Sequence, residues 1–128
     1  MRGAVVSTVN VRVPTKLALT SNQRLHWAAK ASRTRDLRLL GKLAAAPVTG
    51  RQPIEQAQMH VIIRWPDRRA RDLHNYGPTV KALVDGFRDA GLIADDNSSV
   101  ITAEHYEAGP VGARGAVLFE IRFVEVAA

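Results

Sequence analysis

Three carboxylates and one lysine stand around one short predicted helix. Asp72 lies just before this helix, Lys81 lies in its first turn, and the pair Asp95–Asp96 follows it. Carboxylate oxygens are the ligands that hard ions such as Mg²⁺ prefer, and one or two suffice because Mg²⁺ keeps several of its waters. Such an ion can activate water and stabilise charge on a phosphodiester, while a nearby lysine neutralises the same phosphate. The residue types therefore allow metal-dependent phosphodiester hydrolysis.

A structural interpretation of the same residues stays open. Adjacent Asp residues between a helix and a strand are usually turn formers, and Asp72 in "RRARDL" can be a counter-ion to its arginines. Lys81 can pair with Asp85 at i+4. In addition, a helix of about 13 residues is about 20 Å long. The carboxylates at its two ends can therefore meet only if the chain on one side runs back along the sheet.

The charge of the chain is divided unevenly. Residues 1–51 hold ten Lys and Arg against one acid, which gives +9, whereas residues 52–128 hold eight against eleven, which gives −3. This division indicates a polyanion partner beside a separate acidic site, with a solvated basic helix as the alternative. The absence of cysteine excludes thiolate chemistry and fits a cytoplasmic protein. No apolar run approaches the roughly 20 residues that span a bilayer.

The hydrophobic pattern predicts a single small domain over residues 1–128 of the α/β (α+β) class. Apolar and polar residues alternate over 5–13, 59–65 and 117–123, and a further strand is expected around 100–107 after the polar turn "DDNSS", which makes four strands. Helix-favouring composition over 24–45 and an apolar i, i+3, i+4, i+7 pattern from Val80 to Phe87 predict two helices. The expected architecture is a mixed sheet in the order β-α-β-α-β-β, with both helices on one face and with Trp27 and Trp65 in the core.

Local signals predict where the two helices begin and end. Ser21 or Asn22 is the expected N-cap of the first helix, which Pro47 and the glycine at position 50 bring to an end. Pro78 begins the second helix because its missing N–H costs nothing in the first turn. Gly91 is expected to end that helix as a C′ residue.

The stretch "RDLHNYGPTVKALVDGFRDAGLIADDNSSV" resembles the core of the RusA family of Holliday junction resolvases. The family pattern is an R-D-x-D-N segment, a helix beginning near K-A-x-x-D-x-L, and a D-D pair that opens a strand. "LTSNQRLHWAAKASRTRDLR", from Leu19, is similar to the family's asparagine-containing loop and basic helix. The likeness covers most of residues 15–105.

The resemblance implies a RusA-like fold and a Mg²⁺-dependent homodimer that binds four-way DNA junctions and nicks two opposed strands symmetrically. It implies that Asp72, Asp95 and Asp96 are metal ligands and that Lys81 is the essential lysine. A two-fold dimer would match the two-fold symmetry of its substrate.

The sequence departs from the family pattern at two places. His74 stands where the family often has a second Asp, and three extra residues lie between Asn75 and Lys81. An imidazole removes one negative charge and offers a nitrogen ligand, which suits Mn²⁺ better than Mg²⁺. His74 is therefore either a further metal ligand or a polar loop residue that touches nothing in the site.

The excess of basic residues is expected to bind the DNA backbone, with an affinity that falls steeply as salt rises. The predicted DNA-binding residues are Asn22, Arg24, Lys30, Arg33, Arg35, Arg38, Lys42, Arg68, Arg69, Arg71 and Asn75. Two other hypotheses stay open. One is a nucleic-acid-binding module of the same fold that has lost catalysis because His74 replaced a ligand. The other is a metal-dependent nuclease without preference for junctions.

Overall fold

Four strands and two helices follow the predicted order in the computed structural model, which describes residues 3–126. The strands are β1 (Val5–Pro14), β2 (Ala57–Arg64), β3 (Ile101–Ala108) and β4 (Ala116–Val124), and the helices are α1 (Trp27–Ala45) and α2 (Gly77–Ala90). Short 3₁₀ turns follow α1 at Ala46–Val48 and precede α2 at Leu73–Tyr76. The predicted β-α-β-α-β-β order is confirmed. Within residues 3–126, no helix is long and apolar enough to cross a membrane.

The four strands form one mixed sheet in the order β1-β4-β2-β3. Strand β4 is antiparallel to both β1 and β2, whereas β3 is parallel to β2 and forms an edge. The connection from β2 to β3 carries the 3₁₀ turn Leu73–Tyr76 and α2. Such a crossover is what a parallel pair of strands requires, and it lays α2 across the sheet between the end of β2 and the start of β3.

Alternation along the strands places the apolar side chains on one face of the sheet. The buried residues of this face include Val9, Val11, Val13, Met59, Val61, Ile63, Phe119, Ile121 and Phe123. Both helices pack there, and the rings of Phe87 in α2 and Phe123 in β4 lie 6.1 Å apart. Trp65 joins this core as predicted. The prediction that Trp27 is a core residue is wrong, because 76% of its surface is exposed.

The two helices touch through their backbones at a pair of glycines. A Cβ atom on Gly41 of α1 would overlap the carbonyl group of Leu83, and one on Gly86 of α2 would overlap the carbonyl oxygen of Arg38. Side chains at these positions would therefore push the helices apart. The contact holds α2 tightly against α1. It thereby also fixes the position of the residues on the outer side of α2.

Helix α1 begins later than the sequence predicts, and its cap is neither Ser21 nor Asn22. The helix starts at Trp27, and the imidazole Nδ1 of His26 accepts a hydrogen bond from the Ala28 N–H at 3.2 Å. The segment before it is held by residues distant in sequence instead. The Leu19 N–H donates to Thr79 Oγ1 at 2.7 Å, and the Thr79 hydroxyl donates to the Leu19 carbonyl at 2.7 Å.

The predicted ends of α2 are confirmed. Pro78 lies in the first turn of the helix, where an N–H has no intrahelical partner. Gly91 caps the C-terminus in the left-handed region with φ of 87°. This conformation favours glycine, and it turns the chain back along the side of α2.

Candidate active site

Lys81 joins Asp85, one turn further along α2, to Asp96, which follows the helix. Its ammonium donates to Asp85 Oδ1 at 3.0 Å and is in direct contact with Asp96 Oδ2. Arg88 lies along the same side of α2, and its guanidinium approaches Asp95 Oδ1 at 3.3 Å and Asp96 Oδ1 at 3.8 Å. Three carboxylates and two cations thus form one ionic network on the outer side of the helix.

The chain after α2 explains how Asp96 reaches back to the first turns of the helix. Gly91 reverses the chain, and residues 92–94 then run beside Ile54, which precedes β2. The Ile54 N–H donates to the Leu92 carbonyl at 2.8 Å, and the Ala94 N–H donates to the Ile54 carbonyl at 2.9 Å. The segment after α2 therefore brings Asp96 back to Lys81 and Asp85 of the helix. Asp72, before the helix, accepts a hydrogen bond from the His74 N–H instead.

Asp95 and Asp96 have different surroundings although they are adjacent. Asp95 accepts hydrogen bonds from the Asp96 N–H at 2.7 Å and from the Asn97 amide at 3.2 Å, as a turn-forming aspartate does. The Asp96 side chain points toward α2 and is only 13% exposed. Asp95 thus stabilises the turn, and the turn places the Asp96 carboxylate against Lys81.

Hydrogen bonding and burial shift the pKa values of this network in opposite directions. The pKa of Asp96 is lowered, first by the hydrogen bond it shares with Asp85 and then by the one from Lys81. Burial raises the pKa of Asp85, and the hydrogen bond with Asp96 raises it further. The hydrogen bond to Asp96 also raises the pKa of Lys81. These directions favour an ionised Asp96 beside a protonated Lys81.

A groove of about 270 Å³ lies between α2 and the edge strand β3. Lys81 and Asp96 form one side of the groove, and Glu104 and Tyr106 of β3 form the other. The remaining lining residues are Met59, Gly77, Val80, Val84 and Ile101. The ionic network therefore lines a concave surface. The volume of the groove suits a small polar group with its hydration water.

Glu104 and Tyr106 are site residues that the sequence analysis missed. Parallel pairing with β2 places Glu104 opposite Met59 and Tyr106 opposite Val61, which are both core-facing residues. Their place in the groove follows from this register, which the sequence of β3 alone does not specify. Burial raises the pKa of Tyr106 to about 12, and the charge of Glu104 and its hydrogen bond with the phenol act in the same direction.

Tyr106 also connects the groove to the segment before α2. Its ring lies 5.3 Å from the imidazole ring of His74. Asp72 caps the 3₁₀ turn that carries His74, because Asp72 Oδ1 accepts a hydrogen bond from the His74 N–H at 3.0 Å. Asp72 thus lies outside the ionic network around Lys81, while His74 packs against one wall of the groove.

The carboxylate oxygens of the ionic network are the type of ligand atom that a hard divalent ion prefers. Within residues 3–126, no three Asp, Glu or His side chains converge to form a ready metal cluster. The Lys81 ammonium lies between the carboxylates of Asp85 and Asp96. It therefore occupies a position between two carboxylates that also suits a metal cation. Mg²⁺ needs only one or two carboxylates in addition to water, so Asp96 with Asp85 or Asp95 provides a sufficient oxygen donor set.

The two predicted DNA-binding asparagines lie together. The Asn75 amide donates to Asn22 Oδ1 at 3.0 Å, and the Ser21 N–H donates to the Asn75 carbonyl at 2.8 Å. Arg24 and Lys30 border a small depression of about 180 Å³ together with Pro78. This depression adjoins the first turn of α2, so the loop before α1 lies next to the candidate active site.

The other predicted DNA-binding residues differ in how free their charges are. Lys42, Arg35 and Arg68 are exposed, and Arg33 is partly exposed. Three arginines are held by aspartates that the sequence analysis did not assign to them. Arg38 binds Asp89 through two hydrogen bonds of 2.5 and 2.8 Å. Asp67 pairs with Arg69 at 3.1 Å and with Arg71 at 2.7 Å.

Comparison with known proteins adds no family assignment. No protein-family model matches the sequence, and no curated protein matches it. The interpretation of the site therefore depends on the geometry of α2, of the turn that follows it and of β3.

Proposed function

We propose that the protein is a metal-dependent, structure-selective DNA endonuclease that acts as a homodimer and resolves four-way junctions by paired symmetric nicks. The observation that carries the proposal is the contact of Lys81 with Asp96 at the rim of a groove. A phosphodiesterase needs a carboxylate that stays ionised and a cation that can meet a phosphate. Both are present, and two basic residues, Arg24 and Lys30, line a depression at the first turn of α2.

The residues of the chain have separate roles in this proposal. Asp96 and its carboxylate neighbours hold Mg²⁺ or Mn²⁺, which supplies an activated water and stabilises charge on the phosphate when bound. Lys81 stays protonated, and its side chain is 64% exposed. Because a lysine ammonium sits on a flexible four-carbon stem, Lys81 can leave Asp96 and neutralise an incoming phosphate. Asp85 then retains the lysine near the groove.

A second candidate is a nucleic-acid-binding module that keeps the fold and lacks strong catalysis. The position of His74 favours it, because this residue replaces the second Asp of the family pattern and packs on Tyr106. The lack of a ready cluster of three ligands within residues 3–126 favours it as well. Replacing His74 by Asp tests this candidate, since a gain of Mg²⁺-dependent cleavage would show that the histidine limits catalysis.

The deciding experiment uses a labelled four-way junction and a linear duplex of the same arm sequence, incubated with Mg²⁺, Mn²⁺ or EDTA. The proposal expects paired nicks in the junction alone, no cutting in EDTA, and binding that persists in EDTA. Asp96→Asn should abolish cutting and keep binding, because it removes a ligand and a charge that repels phosphate. Glu107→Gln, an exposed site on β3, is the matched control.

The other outcomes identify the alternatives. Binding of the junction without cutting would support the module, and cutting of both DNAs alike would indicate a nuclease without junction preference. Failure to bind either DNA would contradict all three hypotheses.

A further inference from the structure

Trp27 is the most exposed large apolar residue within residues 3–126, at 76% of its surface. Indole rings normally contribute large buried areas to cores and interfaces. A solvent-exposed indole at the first residue of a helix therefore indicates a surface that binds a partner. The imidazole of His26 lies against it, with ring centroids 5.5 Å apart and an interplanar angle of 34°. The two rings form a wide aromatic surface that faces solvent.

This aromatic surface lies at the end of α1 that borders the candidate active site. Arg24 precedes it, and Lys30 follows it by three residues, on a neighbouring side of the helix. Both cations line the depression that Pro78 also lines, and the adjacent Gly77 lines the groove of Lys81 and Asp96. An exposed indole is therefore combined with positive charge on the side where the proposed substrate would be bound.

The chemistry of this combination suits a nucleobase that is not stacked in a duplex. Every base has a π face on which an aromatic ring can stack, and flanking cations hold the adjoining phosphates. In a continuous duplex these faces are covered by neighbouring base pairs. At a branch point the stack is interrupted, and apolar or aromatic side chains can insert where a step is unstacked.

We infer that Trp27 is a specificity-determining residue that stacks on a base exposed at the branch point and thereby favours branched DNA over linear duplex. The inference rests on the proposed function, and it adds the structural feature of the substrate that is recognised and the residue that recognises it. A continuous duplex offers Trp27 only its backbone and grooves. The stacking free energy is therefore gained with the junction alone.

Equilibrium binding in EDTA separates this role from catalysis. The DNAs are a four-way junction and a linear duplex with the same arm sequence, and the proteins are the wild type, Trp27→Ala, Trp27→Phe and Leu43→Ala. Leu43 is the matched control because it is exposed on the same helix, at 61%. Trp27→Ala should lower the junction affinity about 5- to 100-fold, as expected for the loss of one base–aromatic stack. Affinity for the duplex should change little.

Two further measurements identify stacking as the cause. Trp27→Phe keeps an aromatic ring and should retain most of the junction affinity, and Leu43→Ala should match the wild type. A junction with 2-aminopurine at the branch point reports stacking directly through its fluorescence. The wild type should quench this fluorescence on binding, and Trp27→Ala should not.

The inference is overturned if Trp27→Ala binds the junction as the wild type does, or if it loses junction and duplex affinity equally. It is also overturned if the Trp27 fluorescence, measured in a Trp65→Phe background, shifts with protein concentration without DNA, since a second copy then covers the indole. Failure of the proposed function looks different, because the wild type itself would then show no preference for the junction and no metal-dependent cutting. That result would remove the inference as well.

Discussion

Replacing Thr79 by valine should destabilise the protein far more than the loss of one hydroxyl suggests. Thr79 is the one polar residue among residues 3–126 that is fully buried. Its hydroxyl accepts from the Leu19 N–H and donates to the Leu19 carbonyl, both at 2.7 Å. Valine has nearly the same shape but offers neither bond, so the substitution leaves two backbone groups of a buried residue without partners.

The expected cost follows from these two groups. A buried donor or acceptor without a partner costs about 1–3 kcal/mol, so Thr79→Val should lower the free energy of unfolding by about 2–6 kcal/mol. That is a large part of the roughly 5–15 kcal/mol that stabilises a typical domain. Thr79→Ser keeps the hydroxyl and loses one methyl group, which costs about 1 kcal/mol. Serine should therefore be the better tolerated substitution, although valine is the more apolar residue.

Urea unfolding of the three proteins measures the free energies, and hydrogen exchange of the Leu19 amide reports the bond itself. Exchange of this amide should be much faster in Thr79→Val and close to the wild type in Thr79→Ser. If Thr79→Val is as stable as the wild type, or more stable than Thr79→Ser, the hydroxyl does not hold the loop before α1. Other contacts would then keep this loop beside α2.

Three other predictions follow from contacts of the helices and of β3. Gly86→Ala should destabilise the protein by about 1–3 kcal/mol in urea unfolding, because the new methyl group overlaps the backbone of α1. The better helix propensity of alanine does not offset this overlap. Unchanged stability would mean that the helices can separate freely. Because the pKa of Tyr106 is raised from 10.0 to about 12, the folded state prefers the neutral phenol, so this contribution to stability is present below pH 10.0 and is lost as the pH rises toward 12. An ultraviolet titration should show a late phase that Tyr106→Phe removes, and a titration curve whose late phase is unchanged in Tyr106→Phe would contradict it. Asp89→Asn should release Arg38 from its ion pair. Under the proposed function, this change should raise the junction affinity and steepen the salt dependence of binding by up to about one counterion. An unchanged salt slope would place Arg38 away from the DNA.

The parts of the fold that could be predicted from the sequence depend on local sterics and on periodicity. Alternation in β4 predicted which of its residues face the core, because side chains of a strand point to opposite faces in turn. Pro78 and Gly91 marked the ends of α2 because each residue has a backbone restriction or freedom of its own. These signals need no knowledge of the rest of the chain.

The parts that could not be predicted depend on residues far apart in sequence. Ser21 and Asn22 have the chemistry of an N-cap, but the loop that contains them is held by Thr79 and Asn75. Trp27 looked like a core residue because of its type, yet it is the first residue of α1 and is largely exposed. The close approach of Gly41 and Gly86 is equally invisible, since a glycine inside a helix gives no indication of what lies against it.

The candidate site was partly predictable for the same reason. The pairing of Lys81 with Asp85 follows from helical spacing, and it was expected as the structural alternative to a catalytic role. The contact of Lys81 with Asp96 depends on the reversal of the chain at Gly91. Glu104 and Tyr106 enter the groove only through the parallel register of β3 with β2, which the sequence of β3 alone does not specify.

The position of β4 between β1 and β2 has a consequence for how the chain folds during synthesis. Within the part of the chain that the structure describes, residues 3–126, β1 has β4 as its one sheet neighbour, and their paired residues extend from Val5 with Val124 to Pro14 with Ala116. A ribosome adds about 5–20 residues per second, so β1 waits on the order of 10 s for its partner. During that time the valines of β1 remain without a sheet to cover them. Pairing across such a separation is also slow to nucleate, and a nascent chain of this topology therefore depends on chaperones or on rapid completion more than one built from consecutive hairpins.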